Sequence, residues 1–374
     1  MIGRALAWAS AVAAHHRGRT PRRPRWLTWL VTYRCNARCG MCDSWRLKPG
    51  TELTPSEAAH LLADLGPLDV VRLTGGEPFL REDLVDLARA VERACEPLVL
   101  HVTTNGSFPE RAERLATALA RPRRLRVMVS LDGLAGEHDG NRGPDAPFAR
   151  ALETIVRLRA RGVAVSVNHT VISRRSLADA GPLRARLAAL GVDVQTVVAY
   201  AGSAMYSVKL RGTRADALVP PRGYPLHPAL EGADVAGFVA HELETLGRAT
   251  RDPLTRLGKR YTLRGLLSRL RSDERPRPRP PCVALRSHLR LLPDGRVPVC
   301  QFNTETVGDL RVQPFDAVWR SPEAAAQRRW VDACPGCWAE CEVIPSAIYS
   351  GDLLIDAARL VRPSVERRRF SARG

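Results

Sequence analysis

A chain of 374 residues with 45% hydrophobic and 26% charged residues has an ordinary globular composition, which excludes general disorder and suggests one large domain plus a smaller one. The net charge of +18 comes almost entirely from arginines spread along the chain, denser only from Arg17 to Arg25 and from Arg367 to Arg369; no aromatic residues interleave with them to stack bases, so nucleic acid is not the expected substrate. The nine cysteines are clustered, at 35–42 and 282–341 with Cys95 alone, which reads as metal ligation in a reducing, cytoplasmic compartment and not as a disulfide framework.

Residues 1–26 form a basic, amphipathic extension whose apolar run Ala5 to Ala14 is too short to span a bilayer. The expected structure for 1–16 is a helix packed on the domain; peripheral contact with a membrane surface is the second reading. From 27 to 200, apolar β-branched runs alternate with amphipathic stretches. Strands are expected at 27–33, 68–74, 98–104, 125–131, 163–169 and 192–198, and helices at 54–66, 82–95, 108–120, 148–161 and 176–190. Thr54 with Glu57 reads as a capping box and Gly66 as a stop. Six strands read as apolar on both faces predict a parallel α/β sheet, a partial (β/α)6 TIM-like barrel, with a doubly wound sheet as the alternative.

Residues 201–281 read as a helical insertion on the substrate side, with helices near 234–247 and 261–271 and a proline-arginine linker at 272–281. The segment 282–345 carries five cysteines, little core and an expected hairpin around Pro293-Asp294-Gly295, so a metal should support this small α+β domain. A C-terminal helix and basic tail occupy 346–374.

Three cysteines at 35, 39 and 42 follow the first strand, in a loop that lies at the C-terminal face of a parallel barrel, where active sites are built. Thiolates at this spacing bind zinc or an iron–sulfur cluster; zinc needs a fourth ligand, for which His101 or a distant cysteine is a candidate, whereas a three-cysteine cluster leaves one iron open. The second strand ends in Thr74-Gly75-Gly76-Glu77-Pro78, whose glycines permit close backbone approach and whose carboxylate suits an ammonium group. Thr104-Asn105-Gly106, Ser130 to Gly133, Asn168 and Gln195 to Tyr200 put polar groups at the ends of the other strands, on the same face.

Cys-x3-Cys-x2-Cys followed by Gly-Gly-Glu-Pro resembles the radical S-adenosylmethionine (radical SAM) superfamily over residues 27–200. The resemblance implies that Cys35, Cys39 and Cys42 hold a [4Fe–4S] cluster whose open iron takes the amino and carboxylate groups of S-adenosylmethionine. It further implies that Gly75, Gly76, Glu77 and Pro78 receive the amino group, while Ser130, Asn168 and Arg142 meet the ribose and carboxylate. Ordinary strand-end bonds for Ser130 and Asn168, and a surface ion pair for Arg142, are the structural alternatives. Met41 departs from the family, which commonly has an aromatic residue there; methionine covers the same apolar surface.

Cys282 and Cys300 around Gly295, with Cys334, Cys337 and Cys341 in "CPGCWAEC", resemble the SPASM and twitch extensions of these enzymes. Five cysteines cannot complete two clusters, so one auxiliary [4Fe–4S] cluster is expected, held by Cys282, Cys300, Cys334 and Cys337 with Cys341 as substitute or spare; structural zinc is the alternative. Trp338 should shield it, Cys95 should be a buried small hydrophobe, and His101, His138 and His169 should be structural. The resemblance implies an oxidoreductase that cleaves S-adenosylmethionine and oxidises or cross-links a small metabolite or a peptide, with flavodoxin or ferredoxin as reductant. No leader-peptide-binding domain is seen before Trp26, which tilts the expectation towards small substrates. A non-catalytic electron carrier and a zinc-stabilised binding module remain as the other classes.

Overall fold

The computed structural model describes residues 2–48, 50–201, 224–250 and 252–359. The helix α1 (Ile2–His16) packs on the domain as expected, with Trp8 Nε1 donating to Ile348 O at 3.0 Å and Arg4 Nη1 to Leu68 O at 2.7 Å. Then β1 (Trp26–Thr32), α2 (Pro55–Leu65), β2 (Val70–Gly75), α3 (Leu84–Cys95), β3 (Val99–Thr104), α4 (Pro109–Ala118) and β4 (Leu125–Leu131) alternate. They are followed by α5 (Ala135–Arg142), α6 (Phe148–Ala160), β5 (Ala164–Val171), α7 (Arg174–Ala188) and β6 (Asp193–Val198). At the start of α2, Glu57 N donates to Thr54 Oγ1 at 3.3 Å and Thr54 N to Glu57 Oε2 at 2.8 Å, the capping box read from the sequence.

The sheet has seven parallel strands in the order β6-β5-β4-β3-β2-β1-β7, where β7 is His288–Leu291. The order runs one way without reversal, which makes the sheet a partial barrel and rules out the doubly wound alternative. Two expectations are corrected. The segment around Pro293-Asp294-Gly295 does not pair into a hairpin ladder: β7 joins β1 in parallel, Trp26 opposite His288, while β8 (Arg296–Pro298) pairs with β9 (Thr306–Asp309). A seventh strand thus comes from the cysteine-rich segment, because β1 would otherwise leave its ladder open next to an apolar run.

Outside β1, whose residues are all buried and which is apolar on both faces as expected, the strands are also not apolar on both faces. Val71, Leu73, Leu100, Val102, Val127, Val129 and Val167 are at most 1% exposed beneath the helices. The alternating residues Arg72, His101, Met128, Ser130, Ser166, Asn168 and Gln195 line the concave face and keep partial exposure. The convex face is therefore the core, each full side-chain burial contributing about 1.5–3 kcal/mol, and the concave face is an accessible polar lumen.

After β6, α8 (Gly232–Ala249) and α9 (Pro253–Leu270) match the two helices expected there, and α10 (Phe315–Trp319), α11 (Pro322–Ala333) and α12 (Glu340–Tyr349) complete the described elements. Part of the 201–281 insertion (202–223) and the basic tail from 360, including Arg367 to Arg369, lie outside the described residues. The helix α12 lies against α1 and α9 and reaches the concave side of β1 and β7 through Glu342.

Candidate functional site: two cysteine clusters on one barrel

The loop after β1 is zipped to the end of β2. Gly76 N donates to Thr32 O at 2.9 Å and Glu77 N to Arg34 O at 2.8 Å. A Cβ on Gly75 would stand 2.2 Å from Thr32 O, and one on Gly76 2.1 Å from Arg34 O, so these positions admit only glycine. The sequence suggested that the glycines let a ligand approach; in the folded chain they first let the cysteine loop itself approach.

Glu77 is fully buried. Its carboxylate accepts from Phe79 N at 3.0 Å, Thr104 Oγ1 at 2.8 Å and Asn105 N at 2.7 Å, which braces the ends of β2 and β3 against each other. Burial pushes its pKa up to about 7 against the pull of those donors. Asn105 Nδ2 then donates to Asn36 Oδ1 at 2.8 Å, and Asn36 Nδ2 to Ser107 Oγ at 3.0 Å, tying the second brace to the cysteine loop.

Cys39 is buried, Cys35 and Cys42 are half-buried, and all three pack with Ala37, Met41 and Ala146. Burial pushes the Cys35 and Cys42 thiols up to about 12, so alone neither would ionise near neutral pH; a bound cation is what makes such thiols into thiolates. Among the described residues no three His, Cys, Asp or Glu side chains converge closely enough for one metal ion. A four-iron cluster binds each thiolate through a different iron and so takes ligands standing further apart.

The sequence missed the support on the far side of the loop. Arg142, at the end of α5, is 6% exposed and forks onto fully buried Asp132, with Nε to Oδ2 at 2.8 Å and Nη2 to Oδ1 at 2.7 Å. The surface ion pair considered for Arg142 is thus corrected to a buried one, made possible because α5 turns the chain back under β4. Asn141 Nδ2 donates to Asp132 Oδ2 at 2.6 Å while its Oδ1 accepts from Gly40 N at 3.1 Å, and Arg38 N donates to Arg142 O at 2.9 Å. His138 accepts from Asp132 N through Nδ1 at 3.3 Å and so donates from Nε2 to Ala146 O at 3.1 Å; burial and Arg142 lower its pKa to about 4 and keep it neutral, the structural role expected for it. Ser130 and Asn168 stand side by side in the sheet on the concave face, and Asn168 Oδ1 is enclosed without a partner, an acceptor that a ligand donor would satisfy.

The second cluster lies around α12. Cys282, Cys300, Cys334 and Cys337 line one cavity of about 430 Å³ together with Trp338, Glu342 and Ser346. Cys341 is not on that wall; it donates to Gln301 Oε1, and Gln301 in turn bonds Tyr200. Burial pushes the Cys282 thiol up to about 12, with Glu342 adding to it. Trp338 is 5% exposed, bonds Thr262 O at 3.0 Å, stacks on Tyr261 and carries the Arg269 guanidinium 3.8 Å over its ring. Cys95 is fully buried under Leu62, the inert hydrophobe expected.

Glu342 joins this cavity to the barrel. It accepts from Arg290 Nε at 2.9 Å and Nη2 at 2.7 Å, lies 3.1 Å from His288 Nδ1, and accepts from Gln301 N at 3.2 Å; His288 Nε2 is 2.9 Å from Thr28 Oγ1 on β1. Burial opposes its ionisation, but Arg290 and His288 hold its pKa down to about 2. Nothing in the sequence singles out Glu342 except its place one residue after the last cysteine.

Comparison with known proteins agrees with this arrangement. Residues 29–183 match the Radical SAM superfamily profile, and residues 282–341 match SPASM, an iron-sulfur cluster-binding domain. The chain belongs to the radical SAM superfamily and carries a SPASM domain. The cofactors of these domains are a [4Fe–4S] cluster with S-adenosylmethionine, and an auxiliary iron–sulfur cluster. Among curated proteins it is 35% identical over 161 residues to the AdoMet-dependent heme synthase of Methanosarcina barkeri (41% of this chain, 44% of that one), and 35% identical over 165 residues to the mycofactocin maturase MftC of Mycobacterium tuberculosis (41% and 39%). The match thus spans less than half the length of these relatives. Among solved structures, SuiB of Streptococcus suis bound to S-adenosylmethionine superposes with a TM-score of 0.61 at 15% identity, over 86% of this chain and 71% of that one. The structure of anSMEcpe with bound AdoMet and the Cp18Cys peptide gives 0.59 at 13%, over 90% and 99%.

Proposed function

We propose that this protein is a radical SAM enzyme that reductively cleaves S-adenosylmethionine and abstracts a hydrogen atom from its substrate, with an auxiliary cluster receiving or relaying electrons. The observation that carries the reading is the clasp of the three-cysteine loop against Gly75-Gly76-Glu77 at the open end of a polar lumen. Cys35, Cys39 and Cys42 hold the first cluster, and the bound group supplies a reductively generated carbon radical there. Glu77 and the Asp132–Arg142 pair hold that loop in place from two sides, the backbone at Gly75 to Pro78 receives the amino group, and Arg142, Ser130 and Asn168 face the ribose and carboxylate. Cys282, Cys300, Cys334 and Cys337 hold one auxiliary cluster, an assignment supported by their shared cavity.

The substrate is a small metabolite or a peptide, oxidised or cross-linked. The relatives carry both options: one is named a heme synthase, another a maturase, and anSMEcpe was captured with a peptide. Nine free thiols suit a reducing cytoplasm with flavodoxin or ferredoxin as electron donor, and among the described residues no helix is long and apolar enough to cross a membrane.

The test is anaerobic reconstitution with iron and sulfide analysis, followed by dithionite reduction and measurement of 5′-deoxyadenosine and methionine. Release of both by the wild type and its loss in Cys35→Ala is expected. Full cleavage by Cys35→Ala, or bound zinc without charge-transfer absorption, would sink the proposal.

A further inference from the structure

Among the described residues, the polar lumen contains a cation with no hydrogen-bond or ion-pair partner. Arg72 on β2 stands opposite His101 on β3 in the sheet register, and both point to the concave side, since their neighbours Val71, Leu73, Leu100 and Val102 fill the convex core. Among the described residues Arg72 has no hydrogen bond or ion pair to its name, and its Nε is enclosed without a partner. The Trp26 ring centroid is 5.8 Å from its guanidinium carbon, and Cys341 and Glu340 lie close enough to favour its charge.

Among the described residues the other enclosed arginines are paired, including Arg286, whose Nε is also without a partner but whose terminal nitrogens bond Asp332. Arg142 forks onto Asp132, Arg290 onto Glu342 and Arg81 onto Asp83, while Arg269 and Arg328 each bond two backbone carbonyls. An enclosed charge is costly unless paired, so the exception calls for a ligand. Glu340 of α12, which Gln195 of β6 engages, lies close enough to favour the Arg72 charge but forms no hydrogen bond or ion pair with it. His101 adds a second open group: its Nδ1 is enclosed and unbonded, and burial with Arg72 beside it keeps the ring neutral.

We propose that Arg72, assisted by neutral His101, anchors a carboxylate of the substrate in the barrel lumen, on the side facing α12 and Cys341. The inference rests on the radical-enzyme reading and names its substrate class. One permanent cation with one neutral hydrogen-bonding ring matches the single charge of a carboxylate, which a guanidinium fork binds through two parallel bonds; a phosphate dianion would leave charge uncompensated. Such an anchor holds the substrate between the three-cysteine loop at the mouth and the auxiliary cysteines.

The experiment uses the full chain, anaerobically reconstituted, and three probes: sodium succinate, the peptide acetyl-Gly-Gly-Val with a free C-terminus, and its C-terminal amide. Calorimetry should give saturable millimolar binding of a carboxylate probe and none of the amide. Succinate alone points to a free acid, the peptide acid to a peptide carboxylate. Arg72→Met should weaken that binding at least tenfold, and Arg72→Lys by less. Because no hydrogen bond or ion pair holds Arg72 among the described residues, Arg72→Met should also melt no lower than wild type. Equal binding by Arg72→Met, no saturable binding of either carboxylate by wild type, or a melting point several degrees lower in Arg72→Met would overturn the proposal. Cleavage of S-adenosylmethionine by the wild-type sample separates the two readings: if it fails, the enzymatic reading falls, and if it holds while carboxylate binding is indifferent to Arg72, only the anchor falls.

Discussion

Replacing Gly76 by alanine tests whether the two loops form one clasp. The added Cβ would lie 2.1 Å from Arg34 O and 2.6 Å from both Arg34 C and Tyr33 O, all of them backbone atoms that no rotamer change can move. Ordinary contact begins at 3.4 Å, so the start of the cysteine loop must retreat by about 1.3 Å. That displacement stretches the Glu77 N to Arg34 O bond (2.8 Å) and the Gly76 N to Thr32 O bond (2.9 Å) beyond hydrogen-bonding distance. Each lost bond costs about 1 kcal/mol net, and overpacking adds about 1–3 kcal/mol, so Gly76→Ala should destabilise by roughly 3–5 kcal/mol. The assays are thermal unfolding and iron content after anaerobic reconstitution. The melting point should fall by at least about 6 °C, at roughly 2–4 °C per kcal/mol for a domain of this size, and iron at the first site should drop. Gly237, in α8 with open space around its Cβ, is the control, where alanine should be neutral or stabilising by about 0.5–1 kcal/mol. A Gly76→Ala chain that melts and holds iron like the wild type would refute the clasp.

Asp132→Asn leaves the buried Arg142 guanidinium uncompensated and should cost about 3–5 kcal/mol in urea unfolding. Burial opposes ionisation of Asp132, yet Arg142 holds its pKa below the usual carboxylate value, so its contribution is present above that value and is lost as pH falls through the folded one; Asp132→Asn should flatten this acid limb. Glu342→Gln should likewise lower the melting point, because Arg290 and His288 lose their shared charge partner. At the auxiliary site, Cys334→Ser should remove iron while Cys341→Ser, off the cavity wall, should keep it; iron analysis and the cluster's electron paramagnetic resonance check both.

The alternation of strands and helices was legible because each element is long and its convex-face residues recur at period two or 3.6. The cysteine loop and Gly75-Gly76-Glu77 were legible because their chemistry is local. What escaped was either non-local or atypical. The pairing of Trp26 with His288 joins segments far apart in the sequence, and no local pattern encodes it. The helix α5, "AGEHDGNR", has two glycines and no apolar stripe, so no helix is expected where Asn141 and Arg142 lie. Arg72 and the lumen position of His101 were hidden inside the runs "LDVVRLT" and "LVLHVTT", where a single arginine or histidine among β-branched neighbours does not disturb the reading of a strand.

The strand β1 holds the two cysteine clusters of this chain in fixed relation. Its C-terminal end enters the three-cysteine loop. Near its start, Thr28 meets His288, which meets Glu342, which accepts from Arg290 and from the backbone just after Cys300. Seven strand residues span about 20 Å, so the two clusters are referenced to opposite ends of one buried, inextensible element. The lumen lies alongside it, with Arg72 on the adjacent strand, Thr28 opposite Arg72 in register. A substrate held by Arg72 would then have the hydrogen-abstracting end above it and the auxiliary cysteines below it without any domain movement. On the reading proposed above, the polar concave face, and not the cysteines themselves, would decide which molecule is placed between the two centres.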